Sequence, residues 1–380
     1  MEQKKKKLIV SITIPGSIGL LKGQLKYFSE HGYEACLLTQ QNEKSLDYCR
    51  RENCKPLNVT IAREISLGQD IKTLFALIKL FRKEKPDIVN AGTPKMGLLG
   101  MMAAWWCRVP NRIYTCRGFR YESEKGRTKT VLKLTEKIAG LCAKKIICIS
   151  PSLKELAIKD KIFKEKKCVV INKGSSNGIN LREFDIHEIH EEEQRNLRQK
   201  LGINDNFVFG FLGRIRDDKG IQELFKAFEK VYQTDNHCKL LVVGPWDDKH
   251  IKDKNLYDKM MNHPGVILPG RTDEVALTLS IMDVFIMTTW REGFGNVYIQ
   301  AAALGIPVIG SDVTGSKSAV CENYNGLIVN PHDIDDIAST MIKLMTDDSL
   351  RKTLGRNGME WAKNFSNEII WEGMDKLYQA

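Results

Sequence analysis

Residues Asp283 to Asp312 read "DVFIMTTWREGFGNVYIQAAALGIPVIGSD". Two short apolar runs, "DVFIMTT" and "IPVIGSD", flank a glycine turn and an alanine-rich helical stretch. Strand, loop, helix and strand in so short a span make a βαβ unit with parallel strands. Gly293 and Gly295 let the backbone approach a ligand closely. Asn296 stands where it can cap the helix. The amides that follow, together with the helix dipole, favour an anion. Glu292 precedes this anion site, a poor place for a carboxylate whose direct partner is phosphate. It is read instead as an acceptor of hydrogen bonds from sugar hydroxyls beyond the phosphates. Gln300 lies about one turn into the helix, and its side chain leans back toward the N-terminus, near a ribose. The plainer reading is a glycine turn that only opens an alanine helix.

The same rhythm extends outward. Upstream, "FVFGFLG", "KLLVVG" and "GVILPG" read as strands, and downstream "GLIVN". Ile221, Leu224, Phe225 and Phe228 recur at helical spacing between the first two. In the first half, "KLIVSITI", "EACLLTQ", "CKPLNVT", "PDIVNA", "NRIYTCRG", "KKIICIS" and "KCVVINK" alternate with amphipathic stretches. Leu21, Leu25 and Phe28 form one apolar stripe; Leu74, Leu77, Ile78 and Phe81 form another. This alternation predicts two doubly wound, Rossmann-like parallel sheets. Such domains in series place a ligand cleft at the carboxyl ends of their strands. The expected division is residues 1–182, an acidic connector 183–206, a second domain 207–364 and a last helix 365–380. That helix, with Ile370, Trp371, Met374 and Leu377, is expected to pack back on the first domain.

The chain has 380 residues, 42% of them hydrophobic, enough for real cores. Its net charge of +11 is unevenly spread. Residues 1–180 hold 35 Lys and Arg against 16 Asp and Glu, and the rest hold 23 against 31. A basic first half suits an anionic surface such as a bilayer with acidic lipids. A nucleic acid would want stacking aromatics among the cations, and no such motif is present. The ten cysteines include no C-x-x-C pair and read as reduced, mostly buried thiols of a cytoplasmic protein. Lys4–Lys7 and the apolar run after them resemble the opening of a signal peptide, but the run is short and meets Pro15-Gly16; it reads as a buried first strand. No stretch of about 18 apolar residues spans a membrane. Trp105 and Trp106 are expected in the core rather than as a membrane anchor. His187 and His190 sit in the acidic connector and are not read as metal ligands. Asp333 reads as the cap of a helix rather than part of a metal-binding carboxylate group.

"FVFGFLGRIRDDKGIQELFKAF" places Arg214 and Lys219 beyond a strand and before a helix. A planar fork, a point charge and free helix amides suit a diphosphate. The alternative is two solvated cations beside Asp217 and Asp218.

The ordered set "GRIRDDKG", "LLVVG", "GVILPGRTDEV", "MDVFIMTTWREGFGNVYIQAAALGIPVIGSDVTG" and "NGLIVNP" resembles the retaining glycosyltransferases of family four, which have the GT-B fold. The first half resembles the capsule, O-antigen and lipid-linked glycan members through "KPDIVNAGTPKMGLLGMMAAW", "VPNRIYTCRGFRYES" and "NKGSSNGINLREFD". The resemblance covers nearly the whole chain. It implies that Arg214 and Lys219 bind the donor diphosphate and that Glu292 holds the transferred sugar. Gly213, Gly293, Phe294, Gly295 and Asn296 would cradle sugar and phosphate through their backbone. Gly16 and Ser17 match the glycine loop after the first strand. Gln300 stands where the family usually has a second glutamate. Arg117 stands where many relatives carry a histidine. Arginine is no base at neutral pH, but it suits a departing phosphate or an acceptor.

The expected activity is transfer of a hexose-type sugar from a nucleotide donor, most simply a UDP-sugar. The expected acceptor is a polyprenyl-diphosphate-linked saccharide at the cytoplasmic face of a membrane, contacted by Lys95, Arg117 and Arg120. No metal or other cofactor is expected. A competing reading is a catalytically silent nucleotide-sugar scaffold of the same fold. A dinucleotide-dependent oxidoreductase fails because "TIPGSIG" lacks G-x-G-x-x-G and "LLTQQ" supplies no acidic ribose ligand.

Overall fold

A computed structural model describes residues 5–62 and 66–380, so Lys4 of the basic N-terminal run lies outside the described residues. The chain divides into two compact units, Met1–Gly178 with Asn367–Ala380, and Ile179–Ser366.

Unit 1 holds seven strands: β1 (Lys6–Ser11), β2 (Tyr33–Thr39), β3 (Lys55–Asn58), β4 (Ile88–Gly92), β5 (Asn111–Cys116), β6 (Lys145–Cys148) and β7 (Cys168–Val169). All pair in parallel in the order β3-β2-β1-β4-β5-β6-β7. The central strands carry apolar side chains on both faces because helices cover both. Leu8, Ile9, Val89 and Ile113 are fully buried. Leu21, Leu25 and Phe28 join the same core, as their spacing predicted. Each such side chain contributes roughly 1.5–3 kcal/mol on burial.

The last helix, Asn367–Gln379, belongs to unit 1. Its Trp371 donates from Nε1 to Asn177 Oδ1 at 2.8 Å. Tyr378 lies beneath the sheet's middle, where its hydroxyl accepts from Asn90 Nδ2 at 2.7 Å.

Unit 2 holds β8 (Phe207–Leu212), β9 (Cys238–Val243), β10 (Val266–Gly270), β11 (Val284–Met287), β12 (Val308–Ser311) and β13 (Gly326–Val329). Their order is β10-β9-β8-β11-β12-β13, again all parallel. Ile221, Leu224, Phe225 and Phe228 of the helix Ile221–Thr234 are fully buried. Within residues 183–206, expected as a connector, the helix Glu191–Lys200 groups with unit 2. Arg198 clamps it there, donating to the carbonyls of Asn204, Asn206 and Ile281. Asp333 caps the helix Ile334–Thr346 by accepting from the amides of Asp335 and Asp336.

Two tryptophans depart from expectation. Trp105 and Trp106 are 54% and 60% exposed, not core. The helix Pro94–Trp106 is apolar all round, so sequence gives no facing. It buries Met96, Leu99, Gly100, Ala103 and Ala104, and Trp105 and Trp106 at its end face outward.

Candidate active site

In an open parallel sheet, ligands bind beyond the carboxyl ends where the strand order reverses. In unit 2 the reversal lies between β8 and β11. β8 runs on through Gly213 and Arg214 into the turn Asp217–Lys219. β11 runs on through Glu292 to the helix Asn296–Ala303. Both sequence-predicted loops therefore meet at the switch point.

The loops are stitched together. Thr288 Oγ1 donates to the Gly220 carbonyl at 2.7 Å, and Thr289 Oγ1 and the Trp290 amide donate to the Asp218 carbonyl, each at 3.0 Å. Gly220 makes this possible. At φ +68° it sits where L side chains are strained, and a Cβ would fall 1.8 Å from the Thr288 oxygen.

The stitching brings Lys219 Nζ to 2.7 Å from Glu292 Oε2. The second carboxylate oxygen accepts the Gly293 amide at 3.0 Å. These side chains are only 18% and 21% exposed. Burial pushes the Glu292 carboxyl up, but the charge and hydrogen bond of Lys219, the Gly293 amide and Arg291 outweigh it, leaving the pKa below the ordinary value. Glu292 is thus a fixed anion at neutral pH. Its stabilising contribution is present above the unfolded carboxylate pKa and is lost as pH falls through the lower folded value.

Asn296 does not cap its helix. The helix begins at Asn296 itself, and Gly295 takes the cap position at φ +83° with no side-chain cap bond. A Cβ on Gly295 would sit 2.7 Å from the Tyr298 ring, so the turn is reserved for glycine. Phe294 turns away from the loop; it is 2% exposed and its ring lies 5.2 Å from that of Phe365. Only its backbone remains for a ligand. Gln300 is half-buried on the same helix.

Asp217 and Asp218 do not neutralise Arg214 or Lys219. Asp217 is buried and accepts from Gln222 Nε2 (2.7 Å), the Lys252 amide (3.1 Å) and Tyr257 (3.3 Å). Asp218 pairs with Arg216, which also reaches Asp247 at 3.3 Å. Arg216 is the residue that sequence reasoning missed; its signal is an arginine directly before two aspartates. It occupies the local carboxylates, and Arg214 stays exposed at the strand end. Gly213 completes the β8–β9 ladder, donating to the Val243 carbonyl at 2.9 Å.

The remaining expected residues lie in unit 1. Gly16 and Ser17 form part of a 3-10 turn, Pro15–Leu21, beyond β1; Gly16 is exposed and Ser17 half-buried. Lys95 is paired with Asp70 at 2.8 Å. Arg120 is 54% exposed and only 3.7 Å from Glu124. Arg117 packs over Gly92. Among the described residues no cluster of three or more His, Cys, Asp or Glu is placed to hold a metal ion. No described helix is long and apolar enough to cross a membrane.

Two parallel sheets of this strand order, each with a switch point at the carboxyl ends of its strands, define a doubly wound, Rossmann-like α/β protein. Comparison places the chain. Residues 22–181 match the glycosyltransferase family 4 model and residues 193–361 the glycosyl transferases group 1 model. The chain is 40% identical to the capsular polysaccharide biosynthesis glycosyltransferase CapM of Staphylococcus aureus, over 99% of this chain and 98% of that one. It is 30% identical to the UDP-Gal:alpha-D-GlcNAc-diphosphoundecaprenol alpha-1,3-galactosyltransferase of Escherichia coli, over 78% and 76% of the two. Anabaena Alr3699/HepE, solved in complex with UDP and glucose, superposes with a TM-score of 0.82 at 19% identity over 98% of both chains. The chain belongs to the family 4, group 1 glycosyltransferases and has the GT-B fold. It is a transferase enzyme.

Proposed function

We propose that this enzyme moves a hexose-type sugar, with retention of anomeric configuration, from a UDP-sugar to a polyprenyl-diphosphate-linked saccharide in bacterial surface polysaccharide synthesis. The carrying observation is the Lys219–Glu292 pair at the unit 2 switch point. Lys219 and Arg214 offset the diphosphate charge that grows as the donor bond breaks. Glu292 accepts from hydroxyls of the sugar. The backbone of Gly293 to Asn296 and the helix start hold the inner phosphate, Gln300 accepts from the ribose, and Gly213 completes this part of the donor site. No metal ion is needed, because two cations and a helix end supply the positive charge. Lys95, Arg117 and Arg120 serve the acceptor, and the basic first half docks on the cytoplasmic leaflet.

The E. coli relative, named for UDP-Gal and a diphosphoundecaprenol acceptor, supports this choice of substrates. The test is a panel of nucleotide sugars offered with a polyprenyl-diphosphate saccharide. UDP-sugar-dependent product with the donor's anomeric configuration, abolished by Glu292→Ala, is expected. Inverted product, or full activity in that variant, refutes the reading. Vesicles with acidic lipids should bind the enzyme, and binding should weaken with salt.

A further inference from the structure

The strand order of unit 1 also reverses, between β1 and β4. The polar groups there are not all used by the fold. The Arg117 guanidinium lies on Gly92, so close that a Cβ on that glycine would sit 3.1 Å from Nε and 3.2 Å from Nη2. Nε and Nη1 are enclosed without a hydrogen-bond partner. Burial pulls the Arg117 pKa down to about 10, and the neighbours that oppose this are Tyr378, Tyr114 and Cys116, none of them a carboxylate. The half-buried group is therefore a cation at neutral pH with two enclosed nitrogens and no counter-charge, an arrangement that costs stability.

The next residue adds a second signal. Thr93 is β-branched yet held at φ +72°. Its Oγ1 accepts the Thr13 amide at 3.1 Å and shares a 2.7 Å hydrogen bond with Thr13 Oγ1. That side chain is committed to the β1 loop and does not cap the helix Pro94–Trp106. The positive helix end thus begins two residues from the glycine on which the guanidinium rests. Of the three unit 1 cations expected at an acceptor, Lys95 is neutralised by Asp70 and Arg120 is exposed. Arg117 alone combines enclosure with an unmet charge.

We propose that Arg117, held on Gly92 at the start of the Pro94–Trp106 helix, forms a phosphate subsite within unit 1. The inference rests on the transferase reading above, and its ligand is a phosphate ester of one of the two substrates. A guanidinium fork matches paired phosphate oxygens. Gly92 acts as a positioning residue, because a Cβ there would press against the guanidinium and shift it by a few tenths of an ångström. The acceptor diphosphate and the donor diphosphate share this chemistry.

Calorimetric titration of the full chain separates these sources, with inorganic pyrophosphate as probe and UDP at saturation. Arg117→Gln is expected to weaken pyrophosphate about tenfold or more. Gly92→Ala should do the same with Arg117 still present, and Arg117→Lys should keep part of the affinity. Loss of pyrophosphate binding with UDP affinity intact assigns the acceptor's phosphate. Loss of UDP affinity, with no separate pyrophosphate site, assigns the donor's. If Arg117→Gln changes neither, the subsite is refuted. Melting of the ligand-free protein gives an independent readout. Removing an uncompensated half-buried cation should hold or raise Tm, whereas a fall in Tm would mark Arg117 as a structural brace and overturn the proposal. None of these titrations requires sugar transfer. A chain that binds pyrophosphate through Arg117 but transfers no sugar would refute the proposed function and leave the subsite standing.

Discussion

Lys219 and Glu292, 73 positions apart, face each other with 2.7 Å between Nζ and Oε2. The ammonium expected to meet a diphosphate and the carboxylate expected to meet a sugar are each other's partner. The ion pair fixes the ammonium before a ligand arrives. Under the proposed function, a diphosphate would exchange one anion for another at Lys219 and free the carboxylate for sugar hydroxyls.

Glu292→Ala should reduce transfer by about a hundredfold or more, since it removes the carboxylate proposed to hold the reacting sugar. It should cost stability as well, on the order of 1–3 kcal/mol, because Lys219 loses its partner in a half-buried setting. Initial rates and thermal melts of one preparation check both. A folded variant of normal rate contradicts the assignment.

Gly220→Ala tests the stitching of the two loops. A methyl 1.8 Å from the Thr288 oxygen forces the loops apart. The expected loss is at least about 2 kcal/mol in urea unfolding, with weakened donor binding. A neutral result would mean that the loops close without this contact.

Gln300→Glu should tighten donor binding by about three- to tenfold, since a charge-assisted hydrogen bond to a ribose hydroxyl replaces a neutral one. Titration with the nucleotide at low salt measures it. Unchanged affinity would place Gln300 away from the ribose.

Glu136 gives a pH signature in the stability of the fold. It is buried on the helix Gly126–Cys142 and accepts from Tyr114 at 2.8 Å. Burial raises its pKa from 4.5 to about 7, with the Tyr114 bond working against the rise. Folding therefore takes up a proton between those values. This group's contribution is intact below the unfolded pKa and lost as pH climbs from about 4.5 to about 7, by up to about 3 kcal/mol. Glu136→Gln should flatten the stability profile across that window. A slope retained in the variant would assign the titration elsewhere.

Much of the fold was legible because most strands are short apolar runs bounded by turn residues. Such runs as "KLLVVG" and "GLIVN" identify themselves without reference to partners. The helix stripes were equally local: Ile221, Leu224, Phe225 and Phe228 are buried where their spacing placed them. Trp105 and Trp106 were misplaced because a helix apolar on every side has no periodic stripe to orient it. Asn296 was misread because the usual capping residue yields when a left-handed glycine already turns the chain into the helix.

The amino-acid order by itself determined the alternation of strands and helices, the two sheets and the loops that bear the charged residues. These follow from short-range periodicity and turn chemistry. Only the tertiary structure decided which charge meets which. Lys219 takes Glu292 rather than the adjacent aspartates, Arg216 takes Asp218 and Asp247, and Arg117 is left enclosed without a carboxylate. Coulomb attraction and desolvation depend on distance and burial, and both are set by how strands far apart in the chain lie side by side.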